Sequence, residues 1–307
     1  MATPDGVPQG AHNPAGMASP QQQQPPAGPR RELAAHLSSA LAALASRLRA
    51  RRTLRRILVA NNGMAATKFI SSVRQWALAQ GVRDELSVVA MATPDDLASN
   101  QEYIRMADHF VEVPGGSSPA NYGNPALIAN LAERTGCDAV WPGWGHASED
   151  PELPRALATA GIAFLGPPAR AMGALGDKVA SQILAQAAGV PTLPWSGSAV
   201  RVSLEQCSSL AIPDEAYNAA CVDSADEAAA RATEVGFPCM IKASAGGGGR
   251  GIRRVESSEQ ARAVFPQVMA EVPGSPIFLM RCAPVCRHVE VQLLADEHGN
   301  VASLHSR

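Results

Sequence analysis

The sequence predicts an α/β protein in which a doubly wound parallel-sheet domain is followed by an α+β domain with antiparallel strands. Between residues 56 and 165, short aliphatic runs such as Ile57–Ala60 alternate with helical periodicities. Continuous apolar runs are typical of parallel strands that are buried on both faces. After residue 236, two strand-like segments flank a glycine-rich loop, and further strands follow with one helix among them.

The first domain is predicted over residues 56–176. The expected order is strand 57–60, helix 65–79, strand 86–91, helix 93–106, strand 110–113, helix 126–134, strand 139–141, helix 154–159 and strand 162–165. Thr93 or Asp95 can cap the second of these helices. Ligands of such sheets bind beyond the carboxyl ends of the strands, where Asn61, Thr93 and residues 143–149 fall.

A second domain is predicted over residues 177–281, and residues 282–307 begin a further one. The expected elements are helix 177–188, an irregular exposed connection 195–215, helix 225–234, strands 237–242 and 252–255, helix 258–271, and strands 277–280, 288–294 and 301–304. The last strand has no partner after it, which would leave an unpaired edge. We therefore expect a truncated domain.

Residues 1–55 are predicted to be a disordered Pro/Gln-rich tail followed by an Arg-rich amphipathic helix. Residues 1–29 have almost no apolar bulk, and leucines recur at helical spacing from Leu33 to Leu48. Residues 1–56 contain two acidic groups, Asp5 and Glu32, and no lysine. Such a composition also fits an organelle transit peptide. We expect a cytoplasmic protein, with a plastid or mitochondrion as the alternative.

Composition excludes several classes of protein. A length of 307 residues suggests about two domains, and a net charge of −2 gives no general case for nucleic-acid or membrane binding. No segment approaches the ~20 apolar residues of a membrane span. The six cysteines form no paired framework, so reduced thiols are expected. Cys282, Cys286 and His288 offer three ligands where zinc usually takes four, so no metal site is expected there.

Lys242 and the loop Gly246–Gly251 form the candidate binding site. Unhindered N–H groups can create an anion-binding nest, and the lysine adds positive charge, which together predict a lid and clamp for a polyphosphate. No Gly-Lys-Ser/Thr follows, so the loop is not a Walker A motif, and no helix opens after it, so it is not a dinucleotide fingerprint. The alternatives are a flexible linker and, for Lys242, a solvated charge at a strand end.

Ten short strings lie in an order and spacing that resemble the biotin carboxylase component of eukaryotic-type, multidomain acetyl-CoA carboxylase. They are Ala60–Gly63, Ala92–Asp96, Tyr103–Asp108, Val113–Gly116, Trp144–Glu149, Gly176–Lys178, Pro194–Gly197, Lys242–Gly251, Pro273–Pro276 and Arg287–Gln292. Each string is weak alone, and the combination is specific over about residues 56–307. The form of Trp144–Glu149 is similar to the acetyl-CoA carboxylase branch rather than to pyruvate, propionyl-CoA or bacterial relatives.

The resemblance implies an ATP-grasp enzyme, with an incomplete ATP-grasp α+β domain after the parallel sheet. ATP and bicarbonate would form carboxyphosphate, and the resulting CO2 would pass to biotin on a carrier domain that is not in this chain. The implied activity is that of a biotin-dependent carboxylase, a ligase that supplies malonyl-CoA for fatty acid synthesis. The implied cofactors are ATP, Mg²⁺ or Mn²⁺, and biotin. Bicarbonate and the biotinylated carrier domain are the implied partners, in a full-length homo-oligomer.

The resemblance also implies roles for single residues. Lys178 and Lys242 match lysines that contact nucleotide phosphates. The matching lid residues are Gly246, Gly247, Gly248, Gly249, Arg250 and Gly251. Without the resemblance, Lys178 is equally well explained as a surface lysine at a helix N-terminus.

The adenine pocket is implied to lie at the hinge strand. Met280 and Ala283 match hinge residues that line it, and Arg281 stands where many relatives have lysine. His288 matches a histidine near the nucleotide in the central cleft. From the sequence alone, a hydrogen-bonded strand histidine is the better interpretation of His288.

The resemblance stops at Ser303–Arg307. Family members continue with metal-binding glutamates and with the residues that handle bicarbonate and biotin. We therefore expect no catalytic residues and no protein metal ligands in this chain, and a fragment that is inactive alone. The alternatives are a non-catalytic nucleotide-binding fragment and another ATP-grasp acyl-CoA carboxylase.

Overall fold

The computed structural model describes residues 39–246, 249–296 and 298–306, apart from the side chain of Ser208. It divides into two compact units, residues 1–53 and 54–307. The predicted disorder of residues 1–29 lies outside the described residues, as does the start of the leucine periodicity at Leu33.

Helix α1 (Ala40–Arg47) is the helix described in the first unit. It begins at Ser39, whose hydroxyl accepts a 3.1 Å hydrogen bond from the Ala42 N–H, as expected of a serine N-cap. Leu41 and Leu44 on its apolar face are buried. The leucine spacing therefore predicted this part of the helix correctly.

A five-stranded parallel sheet forms the first half of the second unit. Its elements are β1 (Arg56–Val59), α2 (Gly63–Ala79), β2 (Ser87–Ala92), α3 (Pro94–Ala98), α4 (Glu102–Met106), β3 (His109–Glu112), α5 (Pro125–Arg134), β4 (Ala139–Trp141), α6 (Glu152–Thr159) and β5 (Ala163–Phe164). The strand order is β3-β2-β1-β4-β5, and every neighbouring pair is parallel. This order is that of a doubly wound sheet, as predicted.

Successive residues of β1 serve two separate cores. Leu58 packs in one cluster with Ile128 of α5 and Leu157 of α6. Val59 packs in another with Ile70 of α2. Because side chains alternate across a strand, a strand covered by helices on both faces must be apolar at every position. This requirement explains the continuous aliphatic runs.

The single helix predicted over residues 93–106 is wrong. Two short helices, α3 and α4, occupy this range, and Asn100 between them has a φ of 48°. Asparagine tolerates the left-handed region better than most residues, so the chain can turn here. The prediction that Thr93 caps this segment is confirmed, because Thr93 and Asp96 form a reciprocal capping box.

A buried polar network lies beyond the carboxyl end of β2. The Asp96 carboxylate accepts hydrogen bonds from the hydroxyls of Thr93, at 2.5 Å, and Tyr122, at 2.8 Å. The Tyr122 and Tyr103 hydroxyls are 3.1 Å apart. Burial by itself would raise the pKa of Asp96, but these hydrogen bonds outweigh it and hold the pKa below its ordinary value.

The second half of the unit contains a three-stranded antiparallel sheet of order β7-β6-β8. Its elements are α7 (Ala169–Gly176), α8 (Lys178–Ala187), α9 (Asp214–Ala220), α10 (Ala225–Val235), β6 (Cys239–Ala243), β7 (Ile252–Val255), α11 (Ser258–Glu271) and β8 (Ile277–Arg281). One face of the sheet packs against α10 and α11, with Ile241 and Leu279 in that core. The α+β character of this part is thus as predicted.

The connection predicted to be exposed over residues 195–215 is partly buried. Trp195 is 2% exposed and packs edge-on against Phe278, with the ring centroids 6.1 Å apart. Its backbone bridges to Met280 at the edge of β8. Two short helices of this half, α7 and α9, were not predicted, because neither has a long apolar periodicity. Trp195, together with residues of α8 and α9, packs on the face of the sheet that α10 and α11 do not cover.

Strands β9 (Val291–Ala295) and β10 (Val301–Ser306) form a separate antiparallel pair. Strand β9 begins three residues later than predicted, and apolar side chains on the pair, such as Leu293 and Leu304, are exposed. Among the described residues, no helix is both long enough and apolar enough to cross a membrane. The domain boundaries placed at residues 176 and 281 stay predictions.

Candidate functional site

The glycine-rich loop connects two strands of a hairpin, as predicted. Strands β6 and β7 are antiparallel, with Lys242 opposite Ile252. The Ala243 N–H donates to the Gly251 carbonyl at 2.7 Å, and the Gly246 N–H donates to the Ala243 carbonyl at 3.1 Å. These bonds close the base of the loop. The predicted lid residues Gly247 and Gly248 lie outside the described residues.

Lys178 contacts the entrance of the loop. It is the first residue of α8, where the Asp177 side chain caps the helix by accepting from the N–H groups of Val179 and Ala180. The Lys178 ammonium donates to the Ser244 carbonyl at 2.8 Å and to the Gly246 carbonyl at 2.5 Å. The helix cap therefore directs this lysine toward the loop.

Lys242 lies in β6 just before the loop, in an apolar setting. Its ammonium is 3.9 Å from the Met280 sulfur and 5.9 Å from the centroid of the Phe278 ring. Burial, followed by the positive charge of Lys178, lowers the pKa of Lys242 below its ordinary value. A negatively charged group at this position would stabilise the protonated form of Lys242 and thereby offset both causes of its lowered pKa.

Register decides which hinge residues reach this site. Lys242 pairs with Phe278 and Met240 pairs with Met280, so these four side chains share one face of the sheet. Arg281 pairs with Cys239 and therefore belongs to the opposite face. The Arg281 guanidinium lies beside Gly236. The backbone N–H of Arg281 donates to the Pro194 carbonyl at 2.8 Å. The side chain of Met280 thus lies on the same face of the sheet as Lys242, and the side chain of Arg281 lies on the opposite face.

Ala283 and His288 lie beyond the end of β8 and are exposed. The His288 side chain is 86% exposed, and its Nε2 is 3.7 Å from a carboxylate oxygen of Glu290. His288 precedes β9, so the interpretation as a hydrogen-bonded strand histidine is wrong. Among the described contacts, none joins His288 or Ala283 to Lys178 or Lys242.

Sequence reasoning missed the groups that hold the loop entrance. The Ser244 hydroxyl donates to Asp177 at 2.9 Å and accepts from the Lys178 N–H at 3.1 Å. The Tyr217 hydroxyl donates to the same carboxylate at 2.8 Å. The Ser275 hydroxyl accepts from the Ala245 N–H at 2.9 Å. Asp177 could have been found as an N-cap signal, whereas nothing local marks Ser244 or Tyr217.

Gly249 and Gly251, in the second half of the loop, differ in the space around them. Gly249 has a φ of 85°, and no atom of the described residues lies within 4 Å of the position of a Cβ there. Gly251 has a φ of 67°, and a Cβ there would lie 2.7 Å from the Val272 side chain. The exposed Arg250 donates to the carbonyl of Glu271 at 3.1 Å. The loop is therefore packed tightly at Gly251 and has open space beside Gly249.

Family models match most of the folded unit. Residues 53–172 match the biotin carboxylase N-terminal domain, and residues 203–307 match the ATP-binding domain of the carbamoyl-phosphate synthase L chain. Acetyl-CoA carboxylase 1 of Oryza sativa subsp. japonica is 62% identical over 252 residues, which are 82% of this chain and 11% of that protein. This part of the chain belongs to the biotin carboxylase family.

Other relatives and solved structures agree with this biotin carboxylase assignment. Acetyl-CoA carboxylase 1 of Arabidopsis thaliana is 58% identical over 261 residues, 85% of this chain and 12% of that protein. The biotin carboxylase domain dimer of Hydrogenobacter thermophilus 2-oxoglutarate carboxylase, in complex with MgADP, ADP and bicarbonate, aligns with a TM-score of 0.68 at 28% identity. That alignment covers 83% of this chain and 50% of that chain.

A second solved structure is the complex of Campylobacter jejuni biotin carboxylase with βγ-ATP. It aligns with a TM-score of 0.67 at 27% identity, over 81% of this chain and 50% of that one. This chain spans about a tenth of the length of the curated carboxylases that it matches. The alignments with relatives and solved structures show that this part of the chain has the fold of a biotin carboxylase and belongs to that family.

The biotin carboxylase region has few lysines and no cluster of metal ligands among its described residues. The chain contains three lysines, at positions 68, 178 and 242, and two of these meet at the loop. Among residues 39–246, 249–296 and 298–306, no group of three His, Cys, Asp or Glu side chains could hold a metal ion, and Cys282, Cys286 and His288 form none. Two lysines, rather than a cluster of metal ligands, characterise the described part of the site.

Proposed function

We propose that this chain supplies the nucleotide-binding part of the biotin carboxylase reaction in an acetyl-CoA carboxylase. In that reaction ATP and bicarbonate would give carboxyphosphate and ADP. Carboxyphosphate would break down to CO2 and phosphate, and the CO2 would be transferred to biotin on a carrier domain. The product of the whole enzyme would be malonyl-CoA. Identities of 58–62% to plant acetyl-CoA carboxylases favour acetyl-CoA over other acyl-CoA substrates of the whole enzyme.

The meeting of Lys178 and Lys242 at the loop base supports the proposal most strongly. Among the described contacts, neither ammonium pairs with a carboxylate, and the polar contact of Lys242 is a thioether, which is a weak acceptor. Two neighbouring ammonium groups without a counter-charge favour a polyvalent anion. The triphosphate of ATP fits this arrangement, because lysine binds phosphate as a point charge.

Each part of the site has a proposed role. The described glycines Gly246, Gly249 and Gly251 and the loop residue Arg250 form the lid over the phosphates. Met280 lines the base pocket beside Lys242, and backbone groups of Arg281 and Ala283 contact the base. His288 approaches the nucleotide from the segment after β8. Phosphoryl transfer depends mostly on positioning and charge neutralisation, which these residues can provide.

Magnesium and biotin are the remaining proposed cofactors. The described residues do not fit a protein-ligated magnesium ion, since they offer no cluster of ligands. Magnesium commonly reaches such sites on the phosphates of the nucleotide, and when bound it would neutralise their charge. Bicarbonate and a biotinylated carrier domain are the proposed partners, within a homo-oligomer.

Calorimetric titration of the 307-residue chain with Mg·ATP tests the nucleotide site. We expect saturable binding that weakens at least about tenfold in Lys178→Ala and Lys242→Ala, because each loses a charge-assisted phosphate contact. Lys68→Ala is the matched control, since it removes the third lysine, which lies on α2, and should bind like the wild type. No binding at millimolar ATP, or equal binding by Lys242→Ala, would contradict the proposal.

The location of the protein has a separate test. We propose a cytoplasmic protein, because residues 1–55 read as a solvated tail with a packing helix. Import into a plastid or mitochondrion is the alternative. Residues 1–55 fused to a fluorescent reporter should leave the reporter in the cytoplasm, and accumulation in an organelle would favour the alternative.

A further inference from the structure

Glu271, the last residue of α11, contacts the exit of the glycine loop through side chain and backbone. Its carboxylate accepts a 2.8 Å hydrogen bond from the Gly251 N–H and pairs with Arg253. Its carbonyl accepts from the Arg250 guanidinium at 3.1 Å. The next residue, Val272, packs against Gly251 so closely that a Cβ there would lie 2.7 Å away. Four contacts thus fix the loop exit to the end of one helix.

The electrostatics of the helix end support these contacts. The C-terminal end of a helix carries a negative partial charge, which favours the nearby guanidinium groups of Arg250 and Arg253. The Gly251 hydrogen bond is the main cause that holds the pKa of Glu271 below its ordinary value. The Glu271 carboxylate is therefore ionised at neutral pH and keeps both partners.

We propose that Glu271 is a positioning residue that holds the exit of the glycine loop and thereby raises nucleotide affinity. This inference rests on the proposed function. Lys178 and Ser244 hold the entrance of the loop through hydrogen bonds. With Glu271 holding the exit, both ends of the loop are fixed. A loop that is ordered before the ligand arrives does not have to be ordered on binding, and the lower entropic cost strengthens binding.

Two measurements on the full chain test this inference. The first is amide hydrogen exchange at residues 249–252 without nucleotide, and the second is Mg·ATP affinity. We expect Glu271→Ala to speed exchange at Gly251 and to raise the Kd about three- to tenfold, while Glu271→Gln, which retains an acceptor, recovers part of both. Glu256→Ala is the matched control, because it removes the exposed Arg254–Glu256 ion pair from the same hairpin.

The outcomes separate this inference from the proposed function. Unchanged exchange and affinity in Glu271→Ala would overturn the inference, as would equal effects of Glu271→Ala and Glu256→Ala. If the wild type binds no Mg·ATP, the proposed function fails, and the exchange rate at Gly251 still decides whether Glu271 holds the loop. Faster exchange confined to the loop, with the melting temperature unchanged, supports Glu271 as a positioning residue.

Discussion

The ammonium of Lys178 donates a 2.8 Å hydrogen bond to the backbone carbonyl of Ser244, which lies 66 positions later in the chain. The Lys178 N–H also donates to the Ser244 hydroxyl, and that hydroxyl donates to Asp177. The start of helix α8 and the start of the glycine loop therefore form one hydrogen-bonded group. Ser244 is 1% exposed, so these bonds are shielded from water.

Replacing Ser244 with alanine should loosen the loop entrance. The change leaves the Lys178 N–H without its Ser244 partner, whereas Asp177 keeps the Tyr217 hydroxyl. A buried unsatisfied group costs about 1–3 kcal/mol. Urea denaturation should show a loss within this range. Ser275→Ala, which removes the one exposed contact to Ala245, should cost less. An equal loss in both variants would contradict the role given to Ser244.

Replacing Lys242 with methionine should stabilise the protein while it weakens nucleotide binding. The lowered pKa of Lys242 shows that its protonated form is disfavoured in the folded state, by burial and by Lys178. An apolar side chain of similar length removes this penalty, and stabilising substitutions commonly contribute about 0.5–2 kcal/mol. Thermal denaturation at pH 7 should show a higher melting temperature. A lower one would mean that the ammonium makes a favourable contact in the free protein.

Nucleotide affinity should depend on pH through Lys242. In the free protein its pKa lies below the ordinary value, and bound phosphate should raise it. The contribution of Lys242 to the affinity is therefore fully present below the pKa of Lys242 in the free protein. It is lost as the pH rises from that pKa to the pKa of Lys242 in the complex. Titrations with Mg·ATP from pH 7 to about 10.4, the ordinary lysine value, would show the decline. Lys242→Arg stays charged over this range and should remove the part of the decline that Lys242 causes.

Replacing Tyr122 with phenylalanine should destabilise the parallel-sheet half of the protein. The hydroxyl bonds to Asp96 at 2.8 Å, and the loss of a hydrogen bond to a buried charged group costs about 1.5–3 kcal/mol. Because the pKa of Asp96 is lowered on folding, its contribution to stability is present above the unfolded value of about 3.9 and is lost as the pH falls through the folded one. The difference between variant and wild type should shrink below pH 4, about the unfolded value. A constant difference would exclude Asp96 as its cause.

Strands, helices and the glycine loop could be predicted, because each is a local pattern in the sequence. Contacts between residues far apart in the chain could not be predicted in this way. Continuous aliphatic runs such as Ile57–Ala60 identified the parallel strands, and the glycines after Lys242 identified the hairpin loop. The contact of Lys178 with Ser244 was invisible, because it joins a helix start to a strand end. Glu271 was missed for the same reason, since its carboxylate meets Gly251 across the length of helix α11. Asn100 was missed because one left-handed residue leaves no periodic trace.

The setting of Lys242 also affects its chemical reactivity. An amine becomes a nucleophile only after losing its proton, and burial beside Lys178 makes that loss easier. Amine-selective reagents should therefore acylate Lys242 faster than Lys68 at neutral pH. With three lysines in the whole chain, peptide mapping can assign each modified position without ambiguity. A bound polyphosphate would reverse the preference, so the rate of labelling at one position reports occupancy of the site.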